Sequence, residues 1–380
     1  MATDRVALEG RMIYLDYQAT TPVAPEAAEA MRPWIEDKFA NPHSPSRWGH
    51  EAAAAVEVAR GQVAAHFPVG TLAFTSGATE ALNWALKGTL EMSERRKLVT
   101  VATEHAAILD SAEWLQGEGV EVVALPVGSD GLVDLVQAFE VIDDATAIVA
   151  VMLVNNEIGV IQPIAELARL ARDKGALMLC DAVQAFGRME MPDGPDLVAI
   201  SSHKIHGPKG IGALWIRDGA TPPAPLQHGG GQEQGLRSGT LSPALCAGFG
   251  AAARLAAERQ KADLLHVSRL WDLAMDVFGP GWSVNGSLKQ RYKGNLNIRR
   301  DGLDGARLIG ELRDIAFSLG SACASGSGRP SHVLRALGLS DREARSSIRL
   351  GFGRYTSEEE LVDACRRIDA AARAQESFAA

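Results

Sequence analysis

Residues 176–216 read ALMLCDAVQAFGRMEMPDGPDLVAISSHKIHGPKGIGALWI, and this stretch contains short apolar runs at 176–181, 197–202 and 211–216. Several of these runs are apolar on successive residues rather than on alternate ones. That pattern is typical of strands buried on both faces of a parallel sheet. The stretch therefore predicts adjacent strands in the interior of one central sheet.

Strand-like runs alternate with helical segments over residues 70–216. Earlier runs of the same kind lie at 97–102, 120–126 and 146–154. Between them are helical patterns such as Ile164–Asp173, which Gly175 ends. This alternation predicts an α/β fold, with a mostly parallel central sheet flanked by helices. In such sheets ligands bind at the carboxyl ends of the strands, so we expect the functional residues there.

The chain has 380 residues and a mass of 40.4 kDa, a length that suggests two domains. An Ala-rich helix is predicted at 242–261, and shorter strand and helix signals follow it. The last helix begins with a capping box at Ser357. We therefore expect a large domain at 16–258 and a smaller α/β domain formed by 1–15 together with 259–380.

The net charge is −9, and 46% of the residues are hydrophobic. This acidic balance argues against a nucleic-acid partner, because non-specific binding to phosphates needs a cationic surface. No run approaches the roughly 18 to 20 apolar residues of a membrane span. The first ten residues also lack the apolar core of a signal peptide. We therefore expect a cytoplasmic protein that associates with neither nucleic acid nor membrane.

The four cysteines are widely separated and form no CxxC pair: Cys180, Cys246, Cys323 and Cys365. The spacing excludes a zinc ribbon and argues against a disulfide scaffold. Cys323 lies in the Gly- and Ser-rich stretch LGSACASGSGR, residues 319–329, which predicts a mobile loop. A structural cysteine would have apolar neighbours, as Cys180 has. We therefore expect Cys323 to act as a nucleophile and the other three to be structural.

Lys204 follows the apolar run at 197–202, and Asp181 ends the run at 176–181. Most lysines in loops are solvated and have no such role, but a buried carboxylate on a neighbouring strand end needs a cationic partner. Pyridoxal phosphate requires this pair of residues. A lysine amine bonds to the cofactor, and a carboxylate keeps the pyridine nitrogen protonated.

A phosphate group would also need a binding site. The segment Thr75–Glu80 follows an apolar run and begins a helix, so its backbone N–H groups are suited to bind an anion. An ordinary capped helix start is the alternative reading. His105 follows another strand, where its ring could stack on a flat cofactor or simply be a hydrogen-bonded polar group. Gln184, three residues after Asp181, could donate a hydrogen bond to a phenolic oxygen.

Taken together, these segments resemble the cysteine desulfurases, a family of class V aminotransferases with the fold-type I architecture of pyridoxal-phosphate enzymes. The matching motifs are LDYQATTP (15–22), TSGATE (75–80), TEH (103–105), VNNEIG (154–159), DAVQ (181–184), SSHKIHGPKG (201–210) and GGGQEQGLRSGT (229–240). The resemblance extends from about residue 12 to 368. Each motif is modest alone, whereas the ordered series is highly specific.

The resemblance implies pyridoxal 5'-phosphate as cofactor, L-cysteine as substrate and a role for each matching position. The implied roles are Schiff-base lysine for Lys204, pyridinium partner for Asp181, ring stacking for His105, donor to the ring hydroxyl for Gln184, phosphate contacts for Ala78, Thr79, Ser201 and His203, cofactor and substrate binding for Asn156, substrate binding for Arg349, and persulfide formation for Cys323. Thr240 is implied to reach the phosphate of a neighbouring subunit, which predicts a homodimer.

The spacing after Cys323 resembles that of desulfurases with the longer catalytic loop, which deliver sulfur to scaffold or acceptor proteins for iron–sulfur cluster assembly or other uses. Gln18, Ser202 and Leu319 depart from the common family residues, and none of them has an implied role. Two other readings stay open at this point. One is a class V aminotransferase or a selenocysteine lyase-type enzyme, and the other is a degenerate relative that acts as a non-catalytic subunit.

Overall fold

The structure is a computed structural model that describes residues 12–319 and 330–379, with side chains as far as residue 375. Its strands are β1 (Ile13–Tyr14), β2 (Gly70–Thr75), β3 (Lys97–Val101), β4 (Glu121–Leu125), β5 (Thr146–Met152), β6 (Leu177–Asp181), β7 (Leu197–Ser201), β8 (Gly212–Arg217), β9 (Ser283–Val284), β10 (Asn295–Arg299), β11 (Ile315–Ala316), β12 (Ser318–Leu319) and β13 (Ser347–Gly351).

Helices occupy about half of the remaining described chain. They are α1 (Pro25–Glu36), α2 (Arg47–Ala64), α3 (Ala78–Met92), α4 (Ala106–Gly117), α5 (Leu135–Val141), α6 (Ile164–Asp173), α7 (Pro243–Phe278), α8 (Gly305–Glu311), α9 (His332–Ala336), α10 (Asp341–Arg345) and α11 (Glu358–Ala379). Within the described ranges, no helix combines the length and the apolar character needed to span a membrane.

Seven strands form the central sheet, in the order β2-β8-β7-β6-β5-β3-β4. All neighbours are parallel except β8, which runs antiparallel to both β2 and β7. All seven residues of β5 are buried, as expected for a strand covered on both faces. The predicted α/β fold with a mostly parallel sheet is confirmed, and each strand predicted between residues 97 and 217 is present.

Helices cover both faces of this sheet because its side chains alternate between two apolar cores. Val149 and Val151 of β5 join the core beneath α2, α6 and the first half of α7. Ile148 and Ala150 of the same strand face the core beneath α3 and α4. This packing leaves the carboxyl ends of β5, β6 and β7 at one edge of the sheet, where the connecting loops begin.

The helix predicted at 242–261 is longer than expected and extends over Pro243–Phe278. Its predicted end was wrong because a second buried stripe follows the polar residues around Lys261. This stripe, which includes Leu270, Trp271 and Phe278, extends the same hydrophobic core to residues of β10 and α11. The proposed domain boundary at residue 258 therefore lies inside one continuous helix.

The C-terminal region contains a four-stranded antiparallel sheet in the order β12-β13-β10-β9, packed with α8 and α11. The N-terminal β1 pairs in parallel with β11 of this region. The capping box predicted before the last helix is confirmed, since Glu360 N donates to Ser357 Oγ over 3.1 Å and Ser357 N donates to Glu360 Oε2 over 3.3 Å. The division into two domains stays a prediction.

Candidate active site

A cavity of about 450 Å³ opens at the carboxyl edge of the central sheet. Its volume lies in the range of small-molecule binding sites. All the predicted site residues except Thr240 and Cys323 line it: Ala78, Thr79, His105, Asn156, Asp181, Gln184, Ser201, His203, Lys204 and Arg349. The structure thus brings together side chains from the large central sheet and from β13.

Lys204 ends a single 3₁₀ turn, Ser202–Lys204, that directly follows β7. Its Nζ lies at the cavity and donates to the carbonyl oxygens of Gln18 and Ala19, the latter over 2.7 Å. Both carbonyls belong to the segment that follows β1. The amine is therefore held at the cavity wall by neutral acceptors of the main chain.

Asp181 is the last residue of β6 and is only 3% exposed. Its Oδ1 accepts a hydrogen bond from Val183 N over 2.9 Å. Burial raises the pKa of this carboxyl, while His105 and Lys204 oppose the rise. A buried carboxylate of this kind is stabilised by a cation brought into the cavity, and a protonated pyridine nitrogen is such a cation. Asp181 is therefore suited to pair with the pyridine nitrogen of pyridoxal phosphate.

His105 is the N-cap residue of α4, and its Nδ1 accepts a hydrogen bond from Ala107 N over 3.1 Å. Because Nδ1 is an acceptor, the proton of the neutral ring is on Nε2. This bond also fixes the imidazole at the cavity. A fixed flat ring at this wall suits the stacking role that the sequence predicts.

The N-terminus of α3 contributes the anion-binding part of the cavity. Gly77 is its N-cap residue and no side chain caps the helix there, so the first-turn N–H groups of Ala78 and Thr79 lack intrahelical acceptors. Ser76 and Gly77 line the cavity beside them. Helix N-termini of this kind bind phosphate groups, so the turn fits the phosphate of the cofactor.

His203 lines the same cavity, and its Nδ1 is 3.0 Å from Thr20 Oγ1. Burial and the nearby cations Lys204, Lys209 and Arg188 lower the pKa of His203 to about 4. The ring is therefore neutral near pH 7 and can only offer a neutral N–H to an anion. Lys209 also lines the cavity, and sequence reasoning gave it no role although it belongs to the motif at 201–210.

Arg349 lies on β13 and is 1% exposed, so it is not a surface cation. Its Nη1 donates to Asn156 O over 3.0 Å, and its Nη2 donates to Asp16 Oδ1 over 2.7 Å. Its Nε has no hydrogen-bond partner among the described residues. Ser318 Oγ also donates to Asp16, which sequence reasoning left without a role. The arrangement leaves part of the guanidinium available for a carboxylate.

Gln184 lies in the turns after β6 rather than in a helix. Thr240 is exposed and does not line this cavity. Cys323 lies outside the described residues. The three other cysteines, Cys180, Cys246 and Cys365, are buried as predicted.

The model of the class V aminotransferase family matches residues 13–364. The cysteine desulfurase IscS of Rickettsia bellii is 45% identical over 94% of this chain and 90% of its own. A solved NifS-like protein has a TM-score of 0.87 at 33% identity, over 95% of this chain and 99% of its own. SspA, solved in complex with cysteine, has a TM-score of 0.82 at 33% identity, over 91% of this chain and all of its own.

The central sheet and the cavity are thus those of a class V aminotransferase of fold type I. Within that family, whose members depend on pyridoxal phosphate, the chain belongs to the cysteine desulfurases. The family resemblance, the fold and the cofactor predicted from the sequence are confirmed.

Proposed function

We propose that the chain converts L-cysteine to L-alanine and carries the released sulfur as a persulfide on Cys323, for iron–sulfur cluster assembly or another acceptor in the cytoplasm. One observation carries the proposal. A lysine amine, a buried carboxylate, a helix N-terminus and a buried guanidinium surround one cavity. These groups match the aldehyde, ring nitrogen and phosphate of pyridoxal phosphate and the carboxylate of an amino acid.

Each group then has a definite task. Arg349 binds the substrate carboxylate, and Asn156, whose carbonyl holds Arg349, lines the cavity beside it. Asp181 stays ionised once a pyridinium cation neutralises its buried site, and His105 stacks on the ring. The cofactor, when bound, withdraws electrons from the substrate carbons. Lys204 Nζ accepts the proton from the substrate Cα and returns a proton to the product.

The sulfur transfer then follows from the chemistry of thiols. The Cys323 thiolate bonds to the substrate sulfur while the Cβ–Sγ bond breaks, leaving its electron pair on the carbon side. A proton completes the methyl group of alanine. The outer sulfur atom of the persulfide on Cys323 can then pass to the thiol of an acceptor protein without a further oxidant.

The test is to incubate the purified protein with L-cysteine and to analyse products and peptides by mass spectrometry. We expect alanine in solution and one additional sulfur atom on the peptide that contains Cys323. The peptides of Cys180, Cys246 and Cys365 serve as internal controls and are expected to gain none, because these thiols are buried. A 2-oxo acid in place of alanine would favour the aminotransferase alternative and contradict the proposal.

The proposed assembly is a homodimer in which Thr240 contacts the phosphate bound by the neighbouring subunit. Two ion pairs support this role of the loop at 229–240, since Arg237 joins Glu80 and Arg60 joins Glu233, each over 2.7 Å. The first pair attaches the loop to α3, which begins at the phosphate-binding turn, and the second attaches it to α2. The proposed domains follow the same scheme, with the cofactor held by the large domain and Arg349 and Cys323 supplied by the small one.

A Thr240→Val variant is therefore expected to bind pyridoxal phosphate about 10- to 100-fold more weakly, because one hydrogen bond to a charged phosphate is lost. Sedimentation velocity should give twice the 40.4 kDa chain mass for both variant and wild type. Thr221→Val, at another exposed threonine, is the control and should bind the cofactor normally. A wild-type chain that sediments as an active monomer would refute the shared site.

A further inference from the structure

Arg188 makes four hydrogen bonds to oxygen atoms around the cavity, although it does not line the cavity itself. Its Nη1 donates to Gln184 Oε1 over 2.7 Å and to Gln184 O over 3.4 Å. Its Nη2 donates to Lys204 O over 2.8 Å and to Tyr17 O over 3.4 Å. In the described part of the chain no carboxylate pairs with this guanidinium. Arg188 thus donates only to neutral oxygens, three of which belong to the proposed site residues Gln184 and Lys204.

The position of Arg188 behind the cavity has a local cause. Gly187 has a φ of 69°, a left-handed conformation in which an added Cβ would come within 3.0 Å of Ile205 and Ala256. This turn directs the next side chain toward Lys204. The guanidinium also lies 5.4 Å from the ring centroid of Tyr292, which is within cation–π distance. Arg188 is therefore held from several sides.

The contact with Gln184 determines which end of that amide faces the cavity. A guanidinium has only donors, so the amide atom at 2.7 Å from Arg188 Nη1 must be the oxygen. The NH₂ group then points the other way, where it donates to Gln18 O over 3.0 Å. Without Arg188, only the hydrogen bond from Gln184 Nε2 to Gln18 O would hold the amide in this orientation.

We propose that Arg188 is a positioning residue for the cofactor, which holds Lys204 in place and orients Gln184 so that its N–H faces the ring hydroxyl. The inference rests on the proposed function of Gln184 and Lys204. A donor at that oxygen stabilises the negative charge that it carries when the bound cofactor is deprotonated. Loss of this donor therefore raises the pKa of the bound cofactor.

The experiment is a pH titration of the visible absorption of the protein loaded with pyridoxal phosphate. Arg188→Met removes all the donors, and we expect the midpoint of the absorption change to rise by about one pH unit. The variant retains the other titratable side chains of the cavity, Asp181, His105, His203 and Lys209, although His203 loses one of the three cations that lower its pKa. Arg188→Lys retains one donor group and should return the midpoint at least halfway to the wild-type value.

Arg95→Met is the matched control. Arg95 is also partly buried and donates to two backbone carbonyls, Thr146 O over 3.2 Å and Lys174 O over 2.7 Å, but far from the cavity. Its loss should lower stability without moving the midpoint. If Arg188→Met moves the midpoint no more than Arg95→Met does, the positioning role is refuted.

A second variant keeps the inference testable if Arg188→Met does not fold. Gln184→Glu retains acceptors for the Arg188 guanidinium, offers no N–H to the cofactor and adds a negative charge beside it, so it should raise the midpoint by a pH unit or more. An unchanged midpoint in this variant would overturn the proposal. The titration needs only bound cofactor and no turnover. If the protein binds the cofactor but makes no alanine, the proposed function is refuted, and the titration still tests the role of Arg188.

Discussion

In a Lys204→Ala variant, the rate of alanine formation is expected to fall by about 10³- to 10⁴-fold. The substitution removes the amine to which the cofactor is covalently attached and which also moves the substrate proton. The substitution leaves the Lys204 carbonyl, which accepts from Arg188, in place. The fold and the shape of the cavity should therefore persist. Turnover is measured as alanine per enzyme in the steady state.

Borohydride reduction gives an independent readout of the same variant. In the wild type it should attach the cofactor permanently to the peptide that contains Lys204, whereas the variant should carry no such adduct. Lys209→Ala is the control, because Lys209 is a second lysine at the same cavity. It should retain the adduct and most of the turnover. A reduced adduct at any other lysine of the wild type would contradict the assignment of Lys204.

The central sheet and its ligand edge could be predicted from the sequence because the signals are local. Apolar runs on successive residues mark strands covered on both faces; Asp181 ends one such run and Lys204 follows another. Parallel strands end at the same edge, so the two residues had to come close together. The three-residue spacing of Ser357 and Glu360 in the capping box made the start of α11 predictable in the same way.

The contacts across the cavity could not be predicted, since they join residues that are remote in the chain. Asp16 and Arg349 are 333 positions apart, and no periodicity links them. The role of Arg188 likewise depends on the carbonyls of Lys204 and Tyr17, which any residue type carries. The length of α7 was missed for a related reason, because the buried residues of its second half pack against elements of the C-terminal region that are remote in the chain.

The Cys323→Ser variant is expected to stop alanine and sulfide production completely while pyridoxal phosphate stays bound. A serine hydroxyl cannot take over a sulfur atom, so the substrate C–S bond has no acceptor. The absorption of the bound cofactor should be unchanged, because none of the residues around the cavity is altered. An ordinary class V aminotransferase would keep converting its substrate in this variant, so the assay separates the two activities.

No other described thiol can replace Cys323, and this makes the expected loss complete. Burial raises the pKa of Cys246 and of Cys365 to about 12, so roughly one molecule in 10⁵ carries either thiolate at pH 7. Burial raises the pKa of Cys180 as well, and Asp181 and Glu104 add to that rise. Cys246→Ala is the matched control and should retain wild-type turnover. Alanine formation above about 1% of the wild-type rate in Cys323→Ser would require another sulfur acceptor and would overturn the mechanism.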